Sequence, residues 1–314
     1  MAWASAELSA DQLSRLDDDL PILAGSNVAL SPTVSTNPPQ WRESGSFSSG
    51  ANNTSPYYPA LFAYDRHHHL WTRPRATSLE VSLLFYFASG VTFDTVAIIG
   101  HAASEMVGPN QQVRVEVADD AAFSTRLQAV AVFGSTLDRR LVSVTLGGGG
   151  LDAGITTGGV YSNVNYVRVR FTTSGATPFW SWLGEVMLLT RQALPYRPDA
   201  IDYDQTETEA GGQIVRTETG RVLQMAKYSD RRVVRVRWSG AESAEVTQLR
   251  AAWASGAGGR DRLLWVQNPD TDVRNALVMQ TEDGGFSAIE DEGTTRTVEM
   301  RLVEVPPYYA REAA

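Results

Sequence analysis

The stretch from Asn163 to Leu189, NVNYVRVRFTTSGATPFWSWLGEVMLL, constrains the fold more than any other part of the chain. Val167 and Val169 alternate with Arg168 and Arg170. That period of two is the signature of a half-buried strand, with valines inward and arginines in water. Ser174, Gly175 and Pro178 then mark a turn. The next run, Trp182 to Leu189, is apolar apart from Glu185, and it predicts a second strand. Burying a carboxylate is costly unless it is hydrogen-bonded. Glu185 is therefore expected to accept from nearby backbone N–H groups or to sit at the sheet rim.

A chain of 314 residues has room for two domains with cores of their own. Its 43% hydrophobic and 20% charged content is ordinary for a water-soluble globular protein. A net charge of −9 argues against a nucleic-acid partner, because phosphates call for a concentrated basic face. There is no cysteine, so neither a disulfide framework nor a cysteine metal site is available. Met1 to Leu20 lacks the basic start and apolar core of a signal peptide. The most apolar run, Val81 to Gly100, is broken by Ser82, Ser89, Gly90 and Asp94, and it reads as two strands rather than a membrane span. No membrane insertion is expected.

Along the chain, residues 1–24 form an N-terminal arm. Ser9 to Leu20 predicts a short helix with Leu13, Leu16 and Leu20 on one face, ended by Pro21. It packs on its own domain or docks on a neighbouring subunit. Residues 25–195 make a first domain. It opens on a long Ser-, Asn- and Pro-rich loop, Gly25 to Tyr58, with one short strand expected at Val28–Leu30. Loops of this length in compact domains are usually binding surfaces or contacts with another chain. Tyr57 to Trp71 is dense in rings. His67, His68 and His69 are consecutive, and neighbours in an extended chain point to opposite faces. Three in a row cannot converge on one ion, so no metal and no cofactor is expected. Strands follow at Val113–Val117, Ala129–Phe133, Leu141–Leu146 and Val167–Phe171. The glycine run 147–150 has no following helix and no Lys, so it is a surface loop, not a phosphate cradle. Asp119 and Asp120 are turn residues expected to cap backbone N–H groups.

Residues 196–314 make a second, smaller domain. A hairpin is expected over 213–228, turned at Thr219-Gly220, then a strand from Arg232 to Trp238. Ser239 and Glu242 form a capping-box pattern, and the helix behind it runs to Ser255 with Val246, Leu249 and Trp253 on its buried face. Leu263–Gln267, Ala276–Gln280 and Thr297–Val305 are strands. The fold class is all-β: a jelly-roll β-sandwich followed by a smaller β-sandwich carrying one α-helix. The expected sheet edges are Thr297–Val305 and the hairpin at Thr219-Gly220. No G-x-S-x-G elbow, H-E-x-x-H or Walker pattern is present, so no enzyme is expected.

Three segments together carry a family resemblance: Phe93 to His101, Val113 to Phe123 with Ala118 where a Ser is common, and the ending YVRV…W…LGEVMLL. They resemble the strands of discoidin-type domains, the coagulation-factor C-type or galactose-binding-like jelly rolls. Such domains bind sugars at loops on one end, by stacking rings on the sugar face. The resemblance implies Tyr58, His69, Trp71, His101 and Trp180 as candidate carbohydrate-binding residues. The hairpin–strand–helix order of the second domain resembles phage tail-tube and distal-tail proteins, with the two domains in reversed order. That implies a virion tail protein, assembled in the host cytoplasm as a homo-oligomeric ring through residues 196–314. Its partners would be other tail proteins, with the jelly roll outward toward a host surface glycan. The alternative is a carbohydrate-binding module or adhesin with no virion role.

Overall fold

The computed structural model describes residues 21–35, 37–43, 46–47, 51–64, 72–101, 112–125, 128–134, 142–146, 156–157, 160–173, 178, 181–207, 214–216, 222–224, 231–256, 262–266, 277–290 and 294–305. The helix expected over 9–20, the histidines 67–69, the glycine run 147–150 and the turn at 219–220 lie outside the described residues. The protein is all-β, with an N-terminal curled β-sandwich and a smaller β-sheet carrying one α-helix. The first half contributes β1 (Ile22–Gly25), β2 (Gln40–Arg42), β3 (Glu80–Phe93), β4 (Thr95–His101), β5 (Gln112–Ala118), β6 (Gln128–Gly134), β7 (Val142–Leu146), β8 (Thr156–Thr157), β9 (Val160–Thr172) and β10 (Leu183–Gln192). The second half adds β11 (Ala200–Glu207), β12 (Ile214–Arg216), β13 (Val222–Gln224), β14 (Arg231–Ala241), α1 (Ser243–Ala254), β15 (Arg262–Val266), β16 (Leu277–Glu290) and β17 (Arg296–Glu304).

One sheet of the sandwich has the order β2-β3-β9-β5-β6, with β8 paired to β9. Val167, Val169 and Phe171 of β9 turn inward as their period requires, and they join Val81, Leu83, Phe85 and Phe87 of β3. Opposite them lie Val96 and Ile98 of β4 and Val186 and Leu188 of β10. The arginines alternating with those valines do not both lie in water. Arg168 is only 5% exposed and donates to Glu116 at 2.5 Å, with its guanidinium over the Phe123 ring. The reason is a second cover on the outer face. Phe47 and the 119–125 turn fold over it, and the Phe47 N–H donates to the Ala121 carbonyl. Asp120 pins that turn through the backbone N–H groups of Ala122, Ser124 and Thr125, as its turn role predicts.

The other layer of the sandwich is not a separate sheet. The order β11-β14-β17-β16-β15-β1-β10-β4-β7 runs from the second half into the first without a break. The joint is β1, antiparallel to β10 on one side (Leu23↔Gln192) and to β15 on the other (Leu23↔Trp265). Leu23 is fully buried in the core of the second half. Gly25 has to lack a side chain: a Cβ there would lie 2.2 Å from Ser255 Oγ, just past the end of α1. Glu185 is not at the sheet rim. It is 1% exposed, and it accepts from Arg262 Nη1 at 2.6 Å, across the joint between the halves.

Several other expectations need correction. Val28–Leu30 is a 3-10 turn started by the Asn27 side chain, not a strand. β11 was not anticipated, because AIDYDQTE has too many acids to read as a strand. The strand over Thr297–Val305 is not an edge: β17 lies between β14 and β16, and the outer strands of the sheet are β11 and β7. The capping pattern sits three residues later than expected. Ser239 to Ala241 still belong to β14, and Glu245 Oε2 accepts from the Glu242 N–H at 2.7 Å. The layer facing the second half's sheet is α1, through Val246, Leu249 and Ala252. Trp253 is half-buried against Phe286 instead of fully covered. The hairpin over 213–228 is present as β12 and β13. No helix among the described residues is long and apolar enough to cross a membrane.

Because the sheet is continuous, calorimetry should show one unfolding endotherm rather than two. Arg262→Ala removes the guanidinium that pairs with a buried carboxylate and should cost about 3–5 kcal/mol in urea unfolding, whereas Trp253→Ala, at a half-covered site, should cost only about 1.5–2.5 kcal/mol. The Asp120 carboxyl is pushed up by its slight burial, but the Thr125, Ala122 and Ser124 hydrogen bonds outweigh this and hold it below the ordinary value. Its contribution is therefore fully present above the unfolded carboxyl range and is lost as pH falls through the lowered pKa. Amide exchange at Ser124 and Thr125 should speed up over that acid window, and Asp120→Asn should abolish the pH dependence.

Candidate functional site

Three chain segments meet at the end of the sandwich where β4 finishes and β10 begins. Thr72 and Leu183 exchange both backbone hydrogen bonds, N–H to O at 2.8 and 3.1 Å. On its other side Leu183 is paired with His101, the last residue of β4. The Thr72 hydroxyl donates to the Tyr58 carbonyl at 3.1 Å and accepts from Trp41 Nε1 at 2.8 Å. Tyr58, Thr72, Leu183 and His101 thus lie side by side at one end of the fold.

The segment carrying Tyr58 is held from several directions. Asn53 is 4% exposed and clamps residue 76 with both ends of its amide: Oδ1 accepts from the Ala76 N–H at 2.9 Å, and Nδ2 donates to the Ala76 carbonyl at 3.2 Å. Ser55 Oγ accepts from the N–H groups of Tyr57 and Tyr58. Pro59 leads into a 3-10 turn, 60–63, whose Ala60 and Ala63 are buried, and Tyr64 packs edge-on against Phe85. Ala60 and Ala63 join the sandwich core. What is left outward is Tyr57, 83% exposed, and Leu61, 50% exposed. Tyr58 is half-buried beneath the Arg73 guanidinium, 4.2 Å from its ring centroid. A stacked cation fixes the ring and caps it with hydrogen-bond donors.

Of the five residues picked from the sequence, Tyr58 is placed in full and His101 by its backbone in β4. His69, Trp71 and Trp180 lie outside the described residues. Trp71 directly precedes Thr72 in the chain, and Trp180 directly precedes Ser181. Sequence reasoning passed over Tyr57 and Arg73. Tyr57 was visible as half of a Tyr-Tyr-Pro step, but nothing in the sequence tells which of two adjacent rings turns outward. Arg73 gave no signal at all, since its stacking depends on a ring elsewhere in the chain, that of Tyr58. Among the described residues no group of three His, Cys, Asp or Glu side chains could hold a metal ion.

No protein-family model matches the chain, and no curated protein does. Several solved structures are similar to part of it. Chitosan-binding module 1 of a chitosanase/glucanase from Paenibacillus sp. IK-5 is 18% identical, over 52% of this chain and 97% of the module, with a TM-score of 0.34. The family 32 carbohydrate-binding module of C. perfringens NanJ, in complex with galactose, is 13% identical over 44% of this chain and 88% of its own, with a TM-score of 0.30. The N-terminal domain of the single-strand break repair protein XRCC1 is 12% identical over 48% of this chain and 98% of its own, with a TM-score of 0.32.

Proposed function

We propose that the N-terminal sandwich is a carbohydrate-binding module that takes its ligand at the end where Tyr58, Thr72, His101 and Leu183 meet. The observation that carries this reading is the rigid presentation of Tyr57 beside the Arg73-capped ring of Tyr58. A sugar offers an apolar C–H face and a rim of hydroxyls. An exposed tyrosine held by a braced loop meets the first at little entropic cost. The Arg73 guanidinium and the Tyr57 hydroxyl meet the second. His69, Trp71, His101 and Trp180 belong to the same proposed site through their places in the chain. The role is binding, with no chemistry performed on the sugar.

The second reading is a ring-forming tail protein of a phage-like virion. One feature favours it: β11 closes the nine-strand order with no partner on its outer side among the described residues, and such an edge invites pairing between copies. Light scattering of the purified protein tests it, since a closed oligomer supports the ring and a monomer removes it.

A glycan array probed with the full chain, followed by calorimetric titration of the hits, tests the main reading. Tyr57→Ala and Trp71→Ala should each weaken binding roughly tenfold or more with an unchanged melting temperature. Arg73→Ala should cost only a few-fold, the scale of a partly exposed cation–ring contact. A chain that binds no glycan, or one whose binding survives the Tyr57 and Trp71 changes together, sinks the proposal.

A further inference from the structure

A cleft of about 590 Å³ opens where the two halves join, between the Ser26–Thr33 segment, the Phe87–Val91 part of β3 and the end of α1. It lies at the opposite end of the sandwich from the Tyr57 loop. Leu188, whose N–H donates to the side chain of cleft-lining Asn27, is five residues along β10 from Leu183, roughly 17 Å at strand spacing. Nothing about the cleft depends on what the Tyr57 loop does.

Asn27 is 7% exposed and lines this cleft. Its Oδ1 accepts from two backbone N–H groups, Ala29 at 3.1 Å and Leu188 at 2.9 Å. Those two bonds fix which way the amide lies, so Nδ2, with two N–H donors, is the atom left over. No described residue accepts from it, so it is open to donate into the cleft. The hydroxyls of Ser26 and Ser31 stand at the same mouth without side-chain partners among the described residues. Val28 and Val91 supply an apolar wall. No charged residue lines the cleft among those described, so a charged ligand would give up hydration with nothing to replace it. Its volume falls within the usual range of small-molecule sites, about 300–1,000 Å³.

We propose that this cleft is a second binding site, for a neutral, hydroxyl-bearing ligand of mono- to disaccharide size. A ligand oxygen accepts from Asn27 Nδ2, its hydroxyls bond Ser26 and Ser31, and its C–H face rests on Val28 and Val91. Because the cleft is walled by both halves, an occupant ties α1 to the sandwich.

The experiment uses the full chain carrying Tyr57→Ala and Tyr58→Ala, which disable the loop at the other end. Glucose, galactose, N-acetylglucosamine, lactose and maltose are the probes, followed by saturation-transfer NMR and titration calorimetry, with glucuronic acid as the charged control. At least one neutral sugar should bind, and glucuronic acid should bind at least tenfold more weakly. Ser31→Trp and Ser89→Trp, two exposed rim positions on different walls, should each block binding, so that a folding defect in one leaves the other to report. No neutral sugar bound, binding that both tryptophans leave unchanged, or equal binding of glucuronic acid overturns the proposal. Binding seen only in the chain with Tyr57 and Tyr58 intact also overturns it, while leaving the loop-end reading standing.

Discussion

Everything else in this fold depends on a four-residue strand, ILAG, that is paired on both sides. A strand this short has little stability of its own. It is held because Leu23 is sealed into the second core and both of its edges are hydrogen-bonded. Without it, β10 and β15 would each present an open edge toward the other, and edges of that kind are aggregation templates. With it, two sheets become one, and the Glu185–Arg262 pair beside the joint is enclosed instead of solvated. That enclosure makes the pair demanding rather than generous. A buried ion pair contributes little net stability, but either charge alone is expensive, so the two halves are committed to one relative placement. A ring built by residues 196–314 alone would have to do without Leu23 and without β1 as the partner of β15.

The outer face of the six-strand sheet shows how a correct period can support a wrong environment. The alternation of Val167, Arg168, Val169 and Arg170 assigns the faces correctly, and the valines are in the core. Alternation says nothing of whether a further layer covers the polar face. Here Phe47, Phe123 and the Tyr86–Tyr166 ring pair, 4.9 Å between centroids, supply that layer. The arginine survives burial because Glu116 sits across the neighbouring strand at matched register, Glu116↔Arg168. Arg170, nearer the sheet end, is half-exposed and shares its charge between Glu80 and Glu116. Burial pushes its pKa down, and the two carboxylates more than reverse this, holding it above the ordinary value.

What was legible in the sequence is what local pattern determines. The longer strands of the sandwich, the 213–228 hairpin, the helix α1 and the Asp120 turn follow from period, turn residues and capping chemistry, whereas the short β1, β2 and β8 gave no such signal. What was not legible required knowing which distant segment lies alongside. Glu185 needed Arg262, seventy-seven residues on. β11 needed β14 to make a strand of an acidic run. β17 looked like an edge because its alternation is clean, yet a clean alternation records only that one face is polar, not that a flank is open. The candidate loops fall between these cases. Their ring-rich composition was visible, and so was Tyr58, but the outward turn of Tyr57 is set by the Ser55 and Asn53 hydrogen bonds beneath it.

The same strand places the two proposed sites. β10 starts beside His101 and Thr72 and ends paired to β1. One end of it meets a braced loop with rings turned to water, and the other borders a walled cleft with an amide left over. On the proposed reading they would be different solutions to recognising an uncharged, hydroxyl-rich molecule. The exposed platform would select by the face of a ring and tolerate a long chain passing over it. The proposed cleft site would select by volume and by one amide donor, and so would favour a chain end or a small sugar. The fusion of the sheets makes the second possible: were α1 free to move against the sandwich, Ala254 and Ser255 could not serve as a wall, and Asn27 would face water instead of a cavity.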